Sequence, residues 1–277
     1  MPKIWAIYNI KNKGLATNAR KFMENQFEAK MINCYLDFFE CIEKKEGIID
    51  HQDFGDLYYI GYPQSREPMA HFLLSKTGEF SDQDFEQVVH YLKGKTDGVL
   101  IKLDSSNLPM ERLGKYNIKK AHTSVCVQTQ VSRFPDVKPQ QNVREVQDYK
   151  QFSELFSICF QSTFQTAEVF AEAFYNNPNF EIKNFFVYDG AVAVGFGSLV
   201  VMPGELRPVL FVGAGVLDDF RGKGHYRALL EHRLNYCREN NLEDILIDAD
   251  ITTSYSSALK FGFQSLNEGF DHFTYEF

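Results

Sequence analysis

Apolar positions recur along the chain at two different periods, and the switches between them lay out the elements. Short runs rich in β-branched and aromatic residues read as strands. In the first part of the chain these are KIWAIYN (3–9), DLYYIGYP (56–63), MAHFLLSK (69–76), GVLIKL (98–103) and HTSVCVQTQV (122–131). In the second they are 143–146, NFFVYD (184–189), AVAVGFGSLVV (191–201), PVLFVGAGVL (208–217), DILIDAD (244–250) and a closing strand pair up to Phe277. Helical spacing appears at NARKFMENQF (18–27), over 149–161 and 167–176, and briefly from Thr253. It appears also at SDQDFEQVVHYLKG (81–94), with Ser81 or Asp82 as N-cap and an acidic first turn. After the glycines at 222 and 224, Tyr226, Leu229, Leu230, Leu234 and Cys237 share one helical face, with Arg227, Glu231, Arg233 and Arg238 on the others. Asp189-Gly190 marks a hairpin, and 30–49 is mixed. This is the order of an α/β (α+β) protein with a mixed, mostly antiparallel sheet flanked by helices.

The segment SRFPDVKPQQN (132–142), with two prolines among polar residues, interrupts the periodicity and divides the chain into 1–134 and 139–277. The two parts share an order of helix, strand, loop, short helix, glycine and strand, with Gly114 and Gly262 as matching landmarks. This predicts an internal repeat whose first copy is degenerate: where the second part has DDFRGKGHY, the first has SKTGEFSDQDF, an acidic turn unsuited to an anion.

Composition narrows the partners. With 44% hydrophobic and 24% charged residues the chain can build cores, and a net charge of −8 disfavours nucleic acid or an anionic membrane surface. No window approaches the roughly 20 apolar residues of a membrane span, and no signal-peptide pattern opens the chain, so a cytoplasmic protein is expected. Five scattered cysteines (Cys34, Cys41, Cys126, Cys159, Cys237) lack metal-ligand spacing and read as buried free thiols.

The stretch DDFRGKGHYRALL (218–230) places Gly222 and Gly224 before a helix, where first-turn amides have no acceptor and the dipole is positive. Arg221 and Lys223 add cations, which points to a phosphate group. The bland alternative is a surface turn whose glycines serve backbone angles. A Walker A loop needs a longer spacing and a hydroxyl, and the Rossmann fingerprint needs Gly at 227, where Arg stands. A second candidate phosphate site, KNKGLATNARKF (11–22), has Gly14 ahead of Thr17 and Asn18, which helix capping also explains.

AGVLDDFRGKGHYRALL (214–230) resembles motif A of the GNAT superfamily of N-acetyltransferases, with Tyr226 standing where a small residue is usual. The following helix, the strand DILIDAD and the late LKFGF (259–263) fall in the family's order. The two-part layout is similar to tandem GNAT proteins and to the glycine N-acyltransferase type. The resemblance implies acetyl-CoA or another acyl-CoA as donor and a primary amine, on a small molecule or peptide, as acceptor. It also implies pyrophosphate binding by the amides of Arg221, Gly222, Lys223, Gly224, His225 and Tyr226. The strand before the loop is expected to splay from the next one, Gly213 and Gly215 suit a bulge or close approach, and the amide of Val216 or Leu217 would polarise the thioester carbonyl.

For proton transfer the resemblance implies a tyrosine at the position of Ala258; Tyr255, one turn earlier, is the displaced candidate acid. Asp248 and Asp250 share one strand face and are candidate bases, with Glu205 as a further one. His225 packs or contacts the donor. The acceptor region, 156–174 and 202–208, is aromatic and apolar. The alternative to an enzyme is a non-catalytic CoA-binding or interaction module, motivated by Ala258; the oligomeric state, a dimer among the options, is open.

Overall fold

The computed structural model describes residues 50–75, 80–104, 110–135, 140–163, 167–168, 171–172, 180–202, 207–266 and 269–277. The expected elements at 3–9 and 18–27, the mixed stretch 30–49 and the candidate phosphate site at 11–22 lie outside them. Among the described residues twelve strands form one sheet. They are β1 (Asp50–Phe54), β2 (Leu57–Gly61), β3 (His71–Ser75), β4 (Gly98–Asp104), β5 (Lys119–Gln130), β6 (Val143–Glu145), β7 (Glu181–Asp189), β8 (Val192–Val201), β9 (Val209–Val216), β10 (Asp244–Asp250), β11 (Gln264–Ser265) and β12 (Phe270–Glu276). The α-helices are α1 (Asp82–Leu92), α2 (Met110–Lys115), α3 (Tyr149–Phe160), α4 (His225–Glu239) and α5 (Tyr255–Phe261). The strand β1, DHQDF, was invisible to the apolar pattern because it is a polar edge strand, half-exposed along most of its length. The β7–β8 turn is centred on Gly190 and Ala191, with Gly190 at φ +62°.

Across the sheet the order is β1-β2-β3-β4-β12-β5-β10-β9-β8-β7-β6, with β11 beside β5. The closing strands β11 and β12 are both present, and each pairs with β5. The halves exchange strands: β5 from the first half pairs antiparallel with β10 of the second, and β12 from the second pairs antiparallel with β4 of the first. The registers are equivalent. Asp250 faces Ser124 in one ladder and Lys102 faces His272 in the other, which is the same pair displaced by the 148 residues that separate Thr123 from Asp271. Thr123 and Asp271 themselves face each other where β5 meets β12, so a pseudo-twofold axis runs through that pair. Each half also carries a parallel pair, β3 with β4 and β9 with β10, preceded by an antiparallel neighbour. Gly262 caps the short helix α5 at its C-terminus, whereas Gly114 lies within the last turn of α2.

Ser81 caps α1 by accepting from the Asp84 amide at 3.0 Å, and Asp148 caps α3 from the Gln151 amide. Helix α4 lies on one face of the second-half sheet, where Leu229, Leu230, Leu234 and Cys237 join a core with Val127, Val209, Phe211 and Ile247. Each buried aliphatic side chain there contributes roughly 1.5–3 kcal/mol. Arg233 and Glu231, off the apolar face of α4, are nevertheless buried, at 1% and 8% exposed. Residues on either side of 136–139 contact the helix: Gln140 Nε2 donates to Glu231, and Arg238 donates to the carbonyls of Phe134 and Pro135. On the opposite face α3 packs a core that both halves share, with Phe152, Phe156 and Phe196 beside Tyr58, Ile60, Tyr62 and Ala70.

Candidate functional site

The strands β9 and β10 are paired only from Val209 with Ile245 to Phe211 with Ile247. Beyond that point β9 stays with β8 as far as Val216, while β10 stays with β5 as far as Asp250, so a cleft opens between them. The β8–β9 ladder is shifted there: Ser198 faces Val212 and Phe196 faces Gly215, so Gly213 and Ala214 oppose the single residue Gly197. Gly213 takes φ +52° within this bulge. A Cβ on Gly215 would lie 2.7 Å from Cβ of Cys159, so the glycine lets α3 approach the strand. Burial pushes the Cys159 thiol up to about 11, which keeps it protonated and a poor nucleophile.

The Leu217 amide donates to the Val194 carbonyl at 2.9 Å, so it is committed to β8. Alternation along an antiparallel ladder then turns the Val216 N–H the other way, toward the cleft. Of the two expected thioester donors, Val216 is the one whose amide faces the opening. The chain continues through a short 3₁₀ turn, Asp218–Phe220, into the glycine loop. Arg221 folds back on that loop, donating from Nε to the Val216 carbonyl at 3.1 Å and pairing with Asp218 at 2.8 Å. Lys223 lies 4.7 Å above the Phe220 ring. Gly222 and Gly224 have φ +75° and +87°, which an L side chain adopts only with strain, and added Cβ atoms would meet nothing within 4 Å. Gly224 is the N-cap of α4 and supplies no side-chain acceptor. The first-turn amides of His225, Tyr226 and Arg227 therefore face open space with the positive end of a fifteen-residue helix behind them. His225 is buried, with Nε2 4.0 Å from Asp189, and Tyr226 packs against the core, its phenol raised by burial.

The candidate proton-transfer residues divide between the faces of the sheet. Tyr255, the first residue of α5, packs with Ala258 on the α4 side. Asp248 and Asp250 alternate with Ile247 and Ala249, so their side chains lie on the α3 face. Both carboxylates are engaged. Asp248 pairs with Lys102 of β4 at 2.5 Å; burial alone would raise its carboxyl, but Lys102, His272 and Ser124 outweigh that and hold it below the ordinary range. Asp250 accepts through Oδ1 from the amides of Thr252 and Thr253 at 2.8 and 3.0 Å and from both hydroxyls. Glu205 lies outside the described residues, as do parts of the expected acceptor region.

Sequence reasoning missed the surroundings of Asp248. Lys102, His122, Ser124 and His272 come from three strands of the exchange and meet on its α3 face. His272 Nε2 lies 2.7 Å from Ser124 Oγ, and the His122 and His272 rings stack at 4.0 Å. Burial, aided by Lys102, pushes the His272 imidazole down to about 3, so it stays neutral at physiological pH. The only sequence signal was polar residues on the inward period of strands otherwise apolar. Among the described residues no group of His, Cys, Asp and Glu is arranged to hold a metal, and no helix is long and apolar enough to cross a membrane.

The model of the acetyltransferase (GNAT) family matches residues 149–263, which include the cleft, the loop, α4 and β10. A search of curated proteins finds no match. The fold is similar to a GCN5-related N-acetyltransferase from Kribbella flavida, with TM-score 0.60, 9% identity, and 89% of this chain and 94% of that one covered. It is similar also to a functionally unknown conserved protein from Staphylococcus epidermidis, with TM-score 0.57, 14% identity and coverage of 85% and 97%. A tandem GNAT protein from the clavulanic acid biosynthesis pathway gives TM-score 0.52, 12% identity and coverage of 79% and 78%.

Proposed function

From the match of the acetyltransferase (GNAT) family model to residues 149–263, we propose that this protein transfers an acyl group, acetyl in the simplest case, from acyl-CoA to a primary amine. The observation that carries the reading is the cleft. A strand edge is released from β10 just after Phe211 and leads, through the Asp218–Phe220 turn and the glycine loop, into an uncapped helix N-terminus. Such an edge pairs with an extended amide-bearing arm, and the loop amides take the pyrophosphate at its end. The donor supplies an activated thioester: the amine nitrogen bonds to its carbonyl carbon, the carbon–sulfur bond breaks, and the thiolate leaves. The Val216 amide donates to the carbonyl oxygen as charge develops there. Arg221 holds the loop's shape through its bonds to Val216 and Asp218. Tyr255 supplies the proton to the thiolate in this reading, and a thiol with a pKa of roughly 8.5 also leaves unaided near neutral pH. The amine enters on the α3 face, where the Asp248 and Asp250 carboxylates receive its ammonium form and its proton.

A second reading, a CoA-binding module without turnover, is favoured by one observation: both carboxylates already have partners. A thiol-release assay across a panel of amines with acetyl-CoA and longer acyl-CoAs separates the two, with calorimetry of CoA binding alongside. We expect release with at least one amine, and at least tenfold weaker CoA binding by Arg221→Glu. Tight CoA binding with no release from any amine would establish the second reading, and unchanged binding by Arg221→Glu would reject the loop as the phosphate site.

A further inference from the structure

The acyl-transfer reading leaves one buried charge without a role. Arg233 projects from the middle of α4 into the apolar layer beneath β8 and β9, where it is 1% exposed. No carboxylate lies within ion-pair distance of it among the described residues. The guanidinium donates from Nη1 to the Ser198 carbonyl at 3.0 Å and from Nε to the Leu229 carbonyl at 3.3 Å, and stands 4.4 Å from the centre of the Phe211 ring. The acidic groups nearest in its electrostatics are the Tyr226 phenol and the Cys237 thiol. Both are neutral at physiological pH, the phenol raised by burial and the thiol pushed up to about 12. Burial lowers the guanidinium itself only to about 10, so it remains a cation. A buried ion without a counter-ion is unfavourable, and an apolar residue of similar size would pack helix against sheet without that penalty.

Its position is specific. A Cβ on Gly197 would lie 3.3 Å from the guanidinium carbon and 3.4 Å from Cβ of Ala214. Gly197 is the β8 residue opposite the bulge formed by Gly213 and Ala214. The carbonyl that Arg233 holds belongs to Ser198, which faces Val212, the first residue of β9 beyond its pairing with β10. The charge thus sits directly under the place where the strand leaves its neighbour and opens to the cleft. We propose that Arg233 is the counter-charge of the acyl-transfer step: from beneath the β9 bulge its field polarises the acyl carbonyl held at the cleft and stabilises the negative charge that develops on the oxygen. The medium between is apolar core and sheet backbone, where a charge is screened less than in water. Because it is fixed before the donor arrives, no reorganisation is needed when the charge appears. Arg233 touches no reacting atom in this account; it acts through the field and through the Ser198 carbonyl.

This inference rests on the acyl-CoA reading, and the experiment separates the two. The infrared band of carbonyl-¹³C acetyl-CoA is recorded free and bound to wild type, Arg233→Met and Arg233→Lys, together with CoA affinity and kcat. In wild type the bound band is expected at lower frequency than the free one. Arg233→Met should return it toward the free value and lower kcat about tenfold while changing KM for acetyl-CoA less than about twofold; Arg233→Lys should restore most of the shift. A bound band at the same frequency in wild type and folded Arg233→Met overturns the proposal and leaves the acyl-CoA reading intact. Absence of any bound band in wild type removes both. Should Arg233→Met fail to fold, Gly197→Ala keeps the cation and presses on it from 3.3 Å; a band unmoved by that displacement counts against the proposal, and a band moved toward the free value supports it.

Discussion

The strand–turn–helix unit occurs twice, as β3 followed by α1 and as β9 followed by α4, each strand running parallel to the next one in its half. The first copy satisfies its own helix start. Ser81 occupies the Asp84 amide, Asp82 and Asp84 oppose the dipole's positive end, and Asp82 is held in turn by Lys115 at 2.6 Å. Its strand pairs with β2 in unbroken register from Leu57 with Ser75 to Gly61 with His71. The second copy has a bulge in the strand, two glycines at positive φ, and a helix N-cap without a side chain. One topology thus yields a helix start with its first amides capped within the chain or one with them left open. The exchange of β5 and β12 ties the first half to the cleft of the second. It completes the sheet beside β10 and delivers Lys102 to Asp248.

The largest expected effect follows from that exchange. We predict that 139–277 expressed alone does not form a stable monomer, because removing β5 leaves β10 without its ladder from Asp244 to Asp250 and exposes the Val125 and Val127 side of the core. Coexpression with 1–134 should restore a soluble complex. A monodisperse, cooperatively melting 139–277 fragment would show instead that the halves are independent domains.

Next comes the turn itself. Gly224→Val forces a β-branched residue to φ +87° and places a side chain over the first-turn amides, so CoA binding should weaken by tenfold or more. Gly224→Ala should show a smaller loss in the same direction, since the left-handed angle alone costs roughly 1–2 kcal/mol. Isothermal titration with CoA checks both; full affinity in Gly224→Val would mean that the amides do not face the ligand.

The exchange also predicts acid sensitivity. The His272 imidazole is pushed down to about 3 in the folded protein, against roughly 6.5 in an unfolded chain. The unfolded state therefore binds the extra proton between these values. Stability from this site is complete above pH 6.5 and declines as pH falls toward 3, by at most about 1.4 kcal/mol per pH unit. Asp248, held below its ordinary range, adds a loss only below about pH 4. Urea melts of wild type and His272→Gln at pH 7 and pH 5 should converge at the lower pH; an unchanged difference between them would place His272 outside the acid response.

Much of this contrast was legible in the chain. A helix start announces itself locally, through a Ser with acidic followers or through glycines with cations, because caps and positive φ are decided by a few adjacent residues. The strand pairing was not legible. Nothing in HTSVCVQTQV states that β5 will sit beside β10 rather than close its own half, since register depends on contacts more than a hundred residues apart. For the same reason Lys102, Ser124 and His272 looked like unrelated polar residues until three strands brought them together. Arg233 was hidden differently: on an isolated helix its position looks polar, and only the Gly197 gap in β8 and the Ser198 carbonyl above it reveal that it is inside.

The smallest effect tests the comparison from its closed side. Ser81→Ala removes the acceptor for the Asp84 amide, which should cost about 1 kcal/mol of stability. Asp82 and Asp84 remain, and Asp84 Oδ2 still accepts from the Asp56 amide at 3.3 Å, so the freed amide stays within an acidic environment. CoA affinity should therefore be unchanged in Ser81→Ala, and excess CoA should raise its melting temperature by the same increment as in wild type. A second CoA equivalent binding to Ser81→Ala would mean that the first copy's anion site was closed by the cap alone; one equivalent at wild-type affinity places the exclusion in the carboxylates as well.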